Sequence, residues 1–197
     1  MTPMVLPPRV VHVLRHPAPE AAAFTPTRFT PAATKAWFAG HMLRFLSSDF
    51  PRHQFTQRFY NQLMHCFGMC AHYDREGFWT EYFTSTRNKV EFLAEVSQHH
   101  PLGCPEHTFS DVEREVIRRV DQSGLLALYG QRLTREREAA ERAEYARLKA
   151  KFDGTPASAP ARTASVPTPQ PRPTRTECHQ GGTAQLALGL FPTPGVL

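Results

Sequence analysis

Between residues 34 and 133 large apolar side chains recur every three or four positions, a spacing that predicts a small, mainly α-helical domain. Thr34 reads as an N-cap, and residues 35–47 as a first helix with Trp37, Phe38, Met42, Phe45 and Leu46 on one side. Pro51 ends that run. A second helix is predicted over residues 53–73, where Phe55, Phe59, Leu63 and Phe67 repeat every four residues beside Tyr60, Met64, Cys66 and Cys70. After Gly77 a short aromatic element follows, Phe78 to Phe83. Thr84 or Ser85 then caps a helix reaching about residue 98, with Val90, Phe92, Leu93 and Val96 as core candidates. Two prolines and a glycine make residues 99–105 a loop.

Ser110 stands three residues before Glu113, the pattern of a capping box, and opens a helix carrying Val112, Val116, Ile117 and Val120. Gly124 marks a break, after which Leu125, Leu126, Leu128, Tyr129 and Leu133 resume the apolar pattern. Residues 134–152 are charged and alanine-rich, which predicts a solvated helical extension of the domain or a partner-binding helix.

The two ends differ from this body. Residues 1–33 hold prolines at 3, 7, 8, 17, 19, 26 and 31 and read as an extended, proline-rich N-terminal arm, in which residues 10–14 would form a short edge strand. From about residue 153 the composition turns to Pro, Ala, Thr, Ser and Arg. Such a segment buries too little apolar surface to offset its chain entropy, so a disordered linker and tail are predicted over 153–197. No stretch nears the ~20 apolar residues of a membrane span. The start of the chain has no basic region followed by an apolar run, so a cytoplasmic protein with reduced thiols is expected.

Charge changes this picture little when read in blocks. The net charge is +5, yet residues 1–33 carry +2, residues 34–108 carry 0, residues 109–152 carry +2 and residues 153–197 carry +1. Without a block of Lys and Arg, DNA is a secondary candidate partner.

The four cysteines suggest chemistry. Cys66 and Cys70 lie one helical turn apart, with His72 beyond them, while His100, Cys104 and His107 share the proline-bounded loop. Zinc asks for four nitrogen or sulfur ligands converging tetrahedrally. The candidate metal set is therefore Cys66, Cys70, Cys104 and His107, with zinc as the one cofactor to test. Cys66 and Cys70 also fall on the apolar stripe, where a free cysteine packs as a small hydrophobe. The polar run His72-Tyr73-Asp74-Arg75-Glu76-Gly77-Phe78 reads first as a helix end followed by a turn and second as a candidate acid/base cluster. Residues 54–58 are a candidate DNA-reading segment without helix-turn-helix spacing. No phosphate loop, nucleophile elbow or paired metal carboxylates appear, so no catalytic residue is assigned.

In the tail, apolar residues return as Gln185-Leu186-Ala187-Leu188-Gly189-Leu190-Phe191. Leucines stranded beyond the body have no core of their own, and a groove on another molecule is one reason for them. Gln185, Leu186, Leu188 and Leu190 match the pattern Gln-Leu-x-Leu-x-Leu, and the string resembles the bacterial sliding-clamp-binding peptide of Y-family translesion polymerases and other replication and repair factors. The resemblance implies that Gln185 hydrogen-bonds at the rim of the clamp's groove. Leu188 and Leu190 fill its hydrophobic pocket, aided by Phe191, and Leu186 packs between them. It covers seven residues, and Pro192 to Leu197 follow it. Residues 69–78, Met69-Cys70-Ala71-His72-Tyr73-Asp74-Arg75-Glu76-Gly77-Phe78, resemble uncharacterised accessory proteins of bacterial plasmids and integrative elements. Together these imply a non-enzymatic accessory or regulatory factor at replicating or repaired DNA, carried by a mobile element. Two alternatives stand beside it: a small metal-dependent or acid/base enzyme acting on nucleic acid, and an interaction protein that inhibits a host or conjugation system.

Overall fold

A computed structural model of the chain describes residues 4–68 and 74–153. Seven α-helices run through them: α1 Pro8–Arg15, α2 Ala32–Ser47, α3 Gln57–Phe67, α4 Arg75–Phe83, α5 Thr86–Gln98, α6 Ser110–Ser123 and α7 Leu125–Asp153. Two 3₁₀ turns, Ala21–Ala23 and Arg52–Gln54, complete the order. There is no strand among the described residues, and no helix among them is long and apolar enough to cross a membrane. The linker and tail lie outside the described residues.

The strand expected in the N-terminal arm is a helix instead. Pro7 and Pro8 occupy the N-cap and first helical position of α1, where the missing N–H costs nothing. Val10 and Leu14, four residues apart, bury against the body, and α1 packs on α2 and α6. The arm therefore contributes to the core rather than extending away from it.

Side-chain caps open three of the helices. Thr56 accepts a bond from Phe59 N at 3.2 Å, Asp74 from Gly77 N at 2.5 Å and Ser85 from Asn88 N at 3.1 Å. The second expected helix thus begins only at Gln57, after a 3₁₀ turn, and its described part ends at Gly68, whose φ of 60° is the left-handed conformation that suits glycine. Gly124, with φ 67°, separates α6 from α7 in the same way. Thr34 is not the cap of α2; the helix opens after Pro31.

The interior is a cluster of phenylalanines. Phe83 meets Phe45 edge-on with centroids 5.2 Å apart, Phe92 at 4.9 Å, and stacks on Phe50 at 5.3 Å. Each fully buried ring contributes about 1.5–3 kcal/mol from burial alone. Two lysines lie inside as well, each paired with an aspartate. Lys35 Nζ donates to the carbonyls of Pro105 and Thr108, both at 2.8 Å, and to Asp111 at 3.0 Å, so it ties α2 to the loop before α6. Lys89 Nζ donates to Asp49 Oδ1 at 2.7 Å. The same oxygen accepts from Tyr129 Oη at 2.5 Å, and Oδ2 accepts from Met4 N at 2.6 Å. Asp49 and Phe50 both hold positive φ, 61° and 56°, and this double left-handed turn aims the carboxylate inward.

Candidate functional site

The candidate site in the body is a cleft of about 310 Å³ where the end of α3 meets the loop before α6. His65 and Cys66 enter it from α3, His99, His100 and His107 from the loop, and Glu113 from the first turn of α6. The loop holds its shape through backbone. The Cys104 carbonyl accepts from His107 N at 2.9 Å and from Thr108 N at 3.0 Å. Gly103 has φ 85°, and a Cβ there would lie 2.7 Å from Thr108 Cγ2, so only glycine fits. Ser110 does not cap α6; its hydroxyl donates to the Gly103 carbonyl at 3.1 Å. Glu113, freed from the expected capping box, turns to His99.

His99 Nε2 lies 3.1 Å from Glu113 Oε2. The His99 ring rests edge-on against Phe67, and His65 rests against Phe109 in the same way. Burial pushes the Glu113 carboxyl above its ordinary range, while the hydrogen bond and charge of His99 pull it partly back. Burial also drives the Cys66 thiol well upward, and the nearby Glu113 charge adds to that. Cys66 thus stays a thiol at neutral pH, a poor nucleophile and a reluctant metal ligand. The His99–Glu113 pair is different. When Nε2–H donates to the carboxylate, Nδ1 is left as an acceptor, and the two groups together can hold or release a proton at the cleft.

The predicted metal ligands are only partly brought together. Cys66 and His107 share the cleft, Cys104 is exposed and lies outside its lining, and Cys70 lies outside the described residues, as does His72. Among the described residues no three His, Cys, Asp or Glu side chains are grouped so as to hold a metal. In the polar run after them, Asp74 serves as the cap of α4, and Glu76 pairs with Arg75 at 2.9 Å and with Arg52. The candidate DNA-reading segment 54–58 is split: Phe55 is buried, Thr56 is a cap, and Gln57 and Arg58 are exposed. The clamp-like residues Gln185, Leu186, Leu188, Leu190 and Phe191 lie outside the described residues.

A wider cleft, about 550 Å³, opens between Pro17–Phe24 and α6. Its arginines are engaged internally: Arg118 with Glu115 at 2.9 Å, Arg119 with Glu115 at 2.6 Å and with the Leu14 carbonyl at 3.2 Å. His65, His99 and Glu113 had no signal in the sequence, because their meeting depends on how the loop closes and not on any spacing. No protein-family model matches the chain, and neither a curated protein nor a solved structure matches it.

Proposed function

We propose that this chain is a non-enzymatic accessory or regulatory factor, brought to replicating or repaired DNA by a C-terminal peptide that binds the bacterial sliding clamp, and carried by a plasmid or other mobile element. The observation that carries this reading is Gln185-Leu186-Ala187-Leu188-Gly189-Leu190-Phe191, an apolar peptide beyond a stretch almost free of large apolar residues. A short extended peptide gains affinity through main-chain bonds and specificity through side-chain pockets. Tethering then raises the local concentration of whatever the body contributes. A fluorescent peptide spanning Thr183 to Phe191 is expected to bind purified clamp, and Gln185→Ala with Leu188→Ala to abolish binding. A wild-type peptide that leaves the clamp unbound would remove the proposal.

The His99–Glu113 pair favours a second reading, an acid/base enzyme acting on nucleic acid. Here His99→Ala abolishes hydrolysis of a nucleic-acid substrate while the helical circular dichroism stays unchanged. Equal turnover by wild type and variant would discard it.

A further inference from the structure

The positive charge of the chain is not spread evenly when divided at residue 73. Residues 1–73 carry seven Lys and Arg against two acids, and residues 74–197 carry sixteen of each, so the whole excess of +5 falls in the first part. Between Glu20 and Asp74 the one acid is Asp49, and that carboxylate is buried against Lys89. Lys35 is buried too, paired with Asp111. What remains on the surface of α2, the 3₁₀ turn and α3 is therefore basic: Arg44, Arg52 and Arg58, all exposed.

Two of these arginines are layered on tryptophans. The Arg58 guanidinium sits 4.0 Å above the ring centroid of Trp37, and that of Arg52 lies 5.1 Å from the centroid of Trp79. The two stacks are joined by contacts that run partly beneath the surface. His41 lies beside Trp37 with centroids 5.4 Å apart, and its Nε2 donates to the Gln54 carbonyl at 2.8 Å, two residues from Arg52. Phe55 then reaches Trp79 at 5.4 Å. Both tryptophans are half-buried, so each ring is fixed from below and the exposed arginine forms the outer layer. Arg52 is shared with Glu76, whereas Arg58 has no carboxylate partner among the described residues.

We infer that this strip, Arg58–Trp37–His41–Gln54–Arg52–Trp79, binds single-stranded nucleic acid. A guanidinium held over an indole offers a cationic, aromatic-backed face against which an unpaired base can stack, with phosphates drawn to the same charges. In a duplex the bases are already stacked on each other and cannot add to such a pile. An acidic peptide would meet the charge but brings no plane to layer. A membrane surface wants protruding apolar anchors, and here the tryptophans are held down by their arginines. This inference concerns the body and stands apart from the tail peptide.

The test uses the full chain and a fluorescein-labelled oligothymidylate of about 20 nucleotides, longer than one ordinary single-strand site. Fluorescence anisotropy at about 50 mM salt should show binding that weakens steeply as salt rises, with quenching of tryptophan emission. Arg52→Gln with Arg58→Gln should weaken binding at least tenfold and flatten the log–log salt slope by about 1.4, the share of two phosphate contacts on a single strand. The single variant Arg58→Glu should weaken it too. Arg135→Gln with Arg137→Gln, on α7 and outside the strip, should leave binding within about twofold. So should Gln185→Ala with Leu188→Ala, which separates this surface from clamp binding. An oligouridylate arm tells which sugar is preferred, and tight binding of either strand supports the strip. The inference fails if no oligonucleotide binds, if a duplex of equal length binds as tightly, if the α7 variants weaken binding as much as the strip variants, or if phosphatidylserine vesicles compete the oligonucleotide off through the same arginines.

Discussion

Asp49 and Glu113 are both buried carboxylates facing a basic side chain, in opposite surroundings. Asp49 is closed in on every side. Its two oxygens accept from Lys89, Tyr129 and the backbone of Met4, and it joins the N-terminal segment, the end of α2, α5 and α7 at one point. Glu113 has one side-chain partner, His99, and borders a cleft. A closed network acts on stability. An open pair keeps capacity for chemistry and contributes less to holding the fold.

The largest effect is therefore expected at Asp49. Asp49→Ala leaves the Lys89 ammonium buried without its carboxylate and strands the Tyr129 hydroxyl, at a cost of about 3–5 kcal/mol in equilibrium denaturation. A loss under about 1 kcal/mol would mean that water or another group takes the place of the carboxylate, and the contrast with Glu113 would collapse. The smaller effect is a pH slope at Glu113. Burial holds its carboxyl proton more tightly in the folded chain than the ordinary value of 4.5 in the unfolded one. Between that value and the raised folded one, the native state keeps a proton that the unfolded state has released, so stability falls as pH rises through the window. Glu113→Gln should erase that fall, read as denaturation midpoints across a pH series. An unaltered slope in the variant would assign it to another group.

The sequence showed much of the fold because local spacing decides it. The four-residue repeat from Phe59 to Phe67, the Ser85 cap and the break at Gly124 each depend on a few neighbouring residues, and each is present, while Phe55 falls just before the helix. Where the reading went astray, tertiary partners overrode local signals. Val10, Val11 and Val13 favour a strand by type, yet the spacing from Val10 to Leu14 and the prolines ahead of them suit a helix that the body can cover. Ser110 and Glu113 have capping-box spacing, but Gly103 and His99 compete for their side chains and win. The histidine cleft was hidden for the same reason. His65, His99 and Glu113 lie far apart in sequence, and the loop pinned by Lys35 brings them together. The arginine–tryptophan strip was hidden differently: tallies in blocks average the acids of α4 and α5 into a surface that carries almost none.

From Thr134 to Asp153 every residue of α7 is exposed. The first of those turns is tied to α5, where Thr86 donates to Glu136 at 2.9 Å; the rest are held by their own hydrogen bonds and by short-range ion pairs, Glu138 with Arg142 and Glu144 with Arg147. A lone helix of this length is marginal in water, and such pairs fade as ions screen them. Fully wound, the overhang is a rod of roughly 30 Å. Those outer turns are therefore expected to lose helix as ionic strength rises, whereas the phenylalanine core does not depend on such pairs.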